Sequence, residues 1–121
     1  MRINADAVFE MSQLAARVML PRGNGKIINL ASMTSFVAGL DVAAYTASKG
    51  AVAQMTKAFS NEGAPRGIQV NAVAPGYIMT KMNRDFFQEK EASWRIFRRI
   101  AAGRWGKPED IAAGAGMYLQ M

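Results

Sequence analysis

Two short apolar runs, Lys26–Ala31 (KIINLA) and Gln69–Ala74 (QVNAVA), bracket one long helical pattern. The first is β-branched at Ile27 and Ile28 and apolar on both sides of its alternation, as in a parallel strand covered on both faces. Between the runs, Ala, Met and Lys are good helix formers, and Val52, Met55 and Phe59 continue an apolar stripe. These features predict a helix from about Ala43 to Ala64, stopped by Gly63, Pro65 and Gly67. Strand, helix and strand at this spacing make a right-handed βαβ unit, so the fold class is α/β with a parallel sheet. Asn29 is then a polar group inside a strand and needs hydrogen-bond partners.

Upstream, Val8, Met11, Ala15, Val18 and Met19 recur at helical spacing between Asn4 and Leu20, and Pro21 ends that helix. The glycines of the following turn, PRGNGK, precede a strand rather than follow one, which is the wrong context for a dinucleotide phosphate loop. Downstream, YIMTKMN reads as a loop, and Phe86, Lys90, Trp94, Phe97 and Ala101 then follow at helical spacing. The turn GRWGKPED leads into a last helix, Glu109–Leu119, with Pro108 near its first turn.

A chain of 121 residues is one domain at most. No apolar run approaches the ~18 residues of a membrane span. Asp6 and Glu10 interrupt the start where a secretory signal needs an apolar core, so no export is expected and the expected location is cytoplasmic. Without cysteine or histidine there is no disulfide or thiol chemistry, and no metal site is expected. Of the fifteen Lys and Arg residues, eight fall in Tyr77–Lys107 against three acids, so this stretch carries five of the six net positive charges. Such a cluster is a solvated helix face or a field that draws an anionic small molecule. No aromatic platform or nucleic-acid motif accompanies it, so nucleic acid is not an expected partner.

The residues able to do chemistry gather between the strands. Ser32 comes just past the carboxyl end of the first strand, where open α/β sheets place their ligand sites. Tyr45 and Lys49 are four residues apart where the helical pattern begins, so phenol and ammonium share one face. A lysine that close favours the phenolate by charge attraction. An ordinary tyrosine titrates near ~10, so acid/base work near neutrality requires roughly 4 kcal/mol of help. Ser32 adds a neutral donor for a substrate oxygen, and the three together suit proton transfer to or from a carbonyl or alcohol. Taken alone, the pair also describes a half-buried tyrosine and a solvated lysine, and Ser32 also describes a turn cap.

The wider pattern is more specific. Ser32 stands thirteen residues before Tyr45, the local sequence is YTASK, and NAVAPG follows at Asn71–Gly76. This combination resembles the short-chain dehydrogenase/reductase family, whose active site is a Ser, a Tyr-x-x-x-Lys and an upstream Asn; Asn4, in RINADAVF, matches the last. The resemblance implies the second half of a Rossmann-like, doubly wound parallel sheet and an NAD- or NADP-dependent oxidoreductase interconverting a secondary alcohol and a ketone. It implies that Tyr45 is the acid/base and that Ser32 binds the substrate oxygen. Lys49 would tune Tyr45 and hold the nicotinamide ribose, and Asn4 would hold a water chain leading to Lys49. Pro75, Gly76, Ile78 and Thr80 match the segment that approaches the cofactor, and residues 77–106 match a substrate lid.

IINLASMTSF, NAVAPGYIMTKMN and AGRWGKPED are most similar to the 2-deoxy-gluconate 3-dehydrogenase and gluconate 5-dehydrogenase subgroup, which suits a sugar acid met by a basic lid carrying Arg84 and Arg104. A 3-oxoacyl-thioester reductase shares the core motifs, and a remnant that only packs against a partner is the non-catalytic alternative. Family members begin with a glycine-rich half and end in a further strand, neither present here. The expectation is therefore a fragment inactive by itself, and for the full-length form a homo-oligomer, a tetramer.

Overall fold

The computed structural model describes residues 1–81 and 88–120. Its regular elements are α1 (Ala7–Met19), β1 (Gly25–Leu30), α2 (Ala43–Gly63), β2 (Ile68–Val73), α3 (Lys90–Phe97) and α4 (Pro108–Gln120). β1 and β2 pair in parallel, in register from Gly25 opposite Ile68 to Leu30 opposite Val73. The βαβ unit is therefore present as the apolar runs predict, with each boundary within a residue or so of expectation. Each of the first two helices passes into a short 3₁₀ turn and a left-handed glycine, Gly23 and Gly67, before its strand. The two turns press together, and a Cβ on Gly67 would run into the Gly23 carbonyl.

α1 and α2 cover one face of the sheet, where Ile27, Ile68 and Val70 of the strands line a pocket together with Phe59 of α2 and Ala16 of α1. Phe9 and Phe59 close the helix–helix contact with ring centroids 5.5 Å apart. Val52 and Ile68 are fully buried and Val70 is buried beside them in the sheet. Asn29 is buried among them and finds both partners it needs: its Nδ2 donates to Thr56 Oγ1 at 3.0 Å, and its Oδ1 accepts from Ser12 Oγ at 3.4 Å. One strand residue thus pins both helices to the sheet.

The sequence predicts strands covered on both faces, and β1 departs from this at Leu30, which is 55% exposed. Two strands are too narrow for a sheet that shields both sides, and no third strand flanks them among the described residues. The start of the chain also differs: Arg2–Asp6 is a π-helical turn in which the Ala7 N–H reaches back to the Arg2 carbonyl, and the α-helix begins only at Ala7.

Beyond β2 the chain returns on itself. Ile78 bridges to Gly106 in parallel fashion, with Met79 N–H donating to the Gly106 carbonyl at 2.8 Å and Gly106 N–H to the Tyr77 carbonyl at 3.0 Å. A Cβ on Gly106 would push the tip of the Ile78 side chain aside and crowd the Tyr77 carbonyl, so the close approach favours glycine. Tyr77 meets Trp105 edge-on at 5.9 Å, Trp105 meets Phe97 at 6.4 Å, and Phe97 stacks on Trp94 at 5.6 Å. α3 ends at Phe97, short of the expected Ala101, because Arg99 and Ile100 donate to Ile96 and Phe97 in tight turns. Arg84, Phe86 and Phe87 lie outside the described residues. Among the described residues no helix is long and apolar enough to cross a membrane.

Candidate active site

Ser32 follows directly on the parallel ladder, which extends one step past β1 through Ala31 N–H to the Val73 carbonyl at 2.8 Å. Its backbone is extended and it caps a 3₁₀ turn, Met33–Ser35. Ser32 Oγ accepts from the Thr34 N–H at 3.2 Å, and Ser32 N–H donates to Ser35 Oγ at 3.3 Å. The capping role and the family role are compatible, because a hydroxyl that accepts from Thr34 still has its own proton to donate. Met33 N–H donates to the Pro75 carbonyl at 2.9 Å, so this turn is fastened to the end of β2.

Tyr45 and Lys49 occupy the first two turns of α2. Lys49 is buried, 8% exposed, and its Nζ donates to the Leu30 carbonyl at 2.6 Å. The ammonium lies 5.9 Å from the centre of the Tyr45 ring. Burial lowers Lys49 below the ordinary lysine value of 10.5, since desolvation disfavours the cation. The Tyr45 side of the pair is open: the residue is 38% exposed, and its hydroxyl has no hydrogen-bond partner among the described residues.

Asn4 sits in the π-helical turn, its Nδ2 donating to Ser48 Oγ at 3.3 Å. Ser48, fully buried, donates in turn to the Tyr45 carbonyl at 2.7 Å. The structure therefore links Asn4 to the turn of α2 carrying Tyr45 and Lys49, and it sets Ser32 beside that turn through Ser35, whose hydroxyl donates to the Lys49 carbonyl at 2.7 Å. Pro75 holds the Ser32 turn, Gly76 and Thr80 are exposed on the segment leaving β2, and Ile78 is half-buried against Gly106.

Sequence reasoning does not single out Ser35, Ser48 or the Leu30 carbonyl. Two of these leave a signal: Ser32-x-x-Ser35 has capping-box spacing, and Ser48 stands three after Tyr45, the reach of a serine back to a helical carbonyl. Arg104 behaves differently from a free anion receptor. Its guanidinium grips Asp110 with both nitrogens, at 2.8 and 3.0 Å, and Asp110 also accepts from the Lys107 N–H at 2.8 Å. The Arg104 hydrogen bond, then the Lys107 N–H, holds the Asp110 carboxyl down to about 2.

The parallel βαβ unit, with Ser32 at the end of β1 and Tyr45-x-x-x-Lys49 opening α2, is a Rossmann-type α/β scaffold. A family model described as enoyl-(acyl carrier protein) reductase matches residues 1–120, and the chain belongs to the short-chain dehydrogenase/reductase family. It is 51% identical over 119 residues to 2-dehydro-3-deoxy-D-gluconate 5-dehydrogenase of Bacillus subtilis (strain 168), covering 98% of this chain and 46% of that protein. It is 41% identical over 119 residues to gluconate 5-dehydrogenase of Gluconobacter oxydans (strain 621H), again covering 98% and 46%. A crystal structure of a gluconate 5-dehydrogenase from Burkholderia cenocepacia J2315, in complex with NADP and tartrate, superposes with a TM-score of 0.93 at 42% identity, covering 98% of this chain and 46% of that one. The chain spans about half the length of the relatives it matches.

Proposed function

We propose that these residues form the catalytic portion of an NAD(P)-dependent dehydrogenase that interconverts a secondary alcohol and a ketone on a sugar acid. The observation that carries this reading is the open Tyr45 hydroxyl beside a buried, fixed Lys49, at the strand end where Ser32 emerges. Tyr45 gives its proton to the carbonyl oxygen in reduction and takes one in oxidation, while Ser32 donates to that oxygen and orients it. Lys49 supplies the positive charge that steadies the phenolate, and Asn4 is held by Ser48 to serve the proton path behind Lys49.

The donors at this end fit a nicotinamide dinucleotide. Lys49 gives one ammonium hydrogen to Leu30, leaving two for ribose hydroxyls. Gly76 presents no side chain, and Thr80 is exposed at the exit from β2. Pro75 and Ile78 flank this segment. When bound, the cofactor supplies or accepts the hydride. Residues 77–106 act as the substrate lid, and their positive charge draws in the carboxylate. The assembled enzyme works as a homo-oligomer, a tetramer, and the 121 residues alone do not turn over.

A second reading is a 3-oxoacyl-thioester reductase, which shares the core motifs and a thioester substrate class with the enoyl-(acyl carrier protein) reductase named by the matching family model. The deciding experiment fuses this chain behind the N-terminal half of the Bacillus relative and follows NAD(P)H consumption with a keto sugar acid and with a 3-oxoacyl thioester. Turnover of the sugar acid, abolished by Tyr45→Phe with cofactor binding retained, is the expected result. Preference for the thioester selects the second reading, and ordinary activity in the Phe variant overturns the site assignment.

A further inference from the structure

Ser35 makes two hydrogen bonds that face in opposite directions. Its Oγ accepts from the Ser32 N–H at 3.3 Å and donates to the Lys49 carbonyl at 2.7 Å. A hydroxyl is suited to this place because it accepts and donates at once. The second bond crosses from the turn after β1 to α2, and among the described residues no other hydrogen bond joins that turn to the helix. The turn's other fastening, Met33 to Pro75, leads to β2 instead. Lys49 is consequently held at both ends, by Leu30 at its ammonium and by Ser35 at its carbonyl. The circuit Ser32–Ser35–Lys49–Leu30 returns to the strand from which Ser32 emerges.

We propose that Ser35 is a positioning residue whose hydroxyl sets the separation between the substrate-binding Ser32 and the lysine that serves Tyr45. The inference rests on the reading of Ser32 and Lys49 given above. Its test compares the parent chain with Ser35→Ala and Ser35→Thr by amide hydrogen exchange and by NMR titration of the Lys49 amine, neither of which needs cofactor or turnover.

In Ser35→Ala, loss of the acceptor speeds Ser32 amide exchange by about tenfold, a local opening of the kind exchange resolves. The Lys49 amine moves up toward 10.5 as its restraint loosens, while Ile68 and Val70 amides keep their rates. Ser35→Thr, which keeps the hydroxyl, restores both readings. In the fused enzyme, Ser35→Ala lowers kcat about tenfold with substrate KM changed less than about twofold, as misplacement of a reacting group does. Unchanged Ser32 exchange and Lys49 titration overturn the proposal, as do changes of equal size at Ile68 and Val70. A fused parent without turnover overturns the dehydrogenase reading, and the exchange and titration results still judge Ser35.

Discussion

Lys49 shows how a cation is kept in a nearly dry place. It gives one hydrogen to Leu30 and lies close to an aromatic face, yet burial still pulls it below 10.5. Relative to the unfolded chain, the folded state therefore shifts the balance toward the neutral amine. The resulting penalty is present in full below the folded pKa and fades as pH rises toward 10.5. Lys49→Met removes the penalty along with the Leu30 partner, so it should destabilise the chain more at pH 10.5 than at pH 7. Denaturant midpoints of parent and variant at the two pH values check this. In the fused enzyme the role proposed for Lys49, a charge shared between the phenolate and the ribose, predicts that the same variant loses both rate and cofactor affinity. Asp110 has the opposite sign. Its pairing with Arg104 contributes stability that is present above the ordinary carboxylate value of 3.8 and lost as pH falls through about 2. Arg104→Gln should bring the Asp110 midpoint back toward 3.8 in a carbon-13 NMR titration. A midpoint that stays near 2 would show that the Lys107 N–H suffices.

At the scale of elements, the weight falls on Asn29. Replacing it with Ala takes a donor from Thr56 and an acceptor from Ser12 inside the α1–β1–α2 sandwich, which should cost about 2–3 kcal/mol for the two bonds and the desolvated hydroxyls. A urea titration measures it, and a loss below about 0.5 kcal/mol would mean that water replaces the amide. The need for partners at Asn29 is legible in the sequence, because a polar side chain in an apolar strand has few other outcomes. The βαβ unit and the position of Ser32 are legible for a related reason: period, composition and turn residues all agree there. Other features depend on contacts between distant segments. The Ile78–Gly106 bridge joins backbone groups and leaves no side-chain pattern, and the Leu30 carbonyl that receives Lys49 is a backbone atom with no residue preference. The π-helical turn at Asn4 reflects a choice of carbonyl one residue further back, which composition does not encode.

For the whole molecule, Met11, Leu14 and Val18 form a stripe along α1, each more than half exposed, and Phe36 and Leu40 add to the apolar surface. Each strand has a neighbour on one edge only among the described residues. Open strand edges and apolar stripes drive association. The 121-residue chain should therefore elute from a sizing column above monomer mass, and Met11→Lys with Val18→Glu should shift it downward. A sharp monomer peak from the parent chain would contradict this.

The clasp between Ile78 and Gly106 has a further consequence, for descent rather than for chemistry. It stitches Ile78 to Gly106, so changes of chain length between the two need not reach the flanking frame. Closing a longer loop is cheap, about 0.6 kcal/mol for each doubling. Insertions and deletions there can be tried by mutation while Ser32, Tyr45 and Lys49 keep their places, so the lid we propose is free to change its reach while the site we propose keeps its geometry.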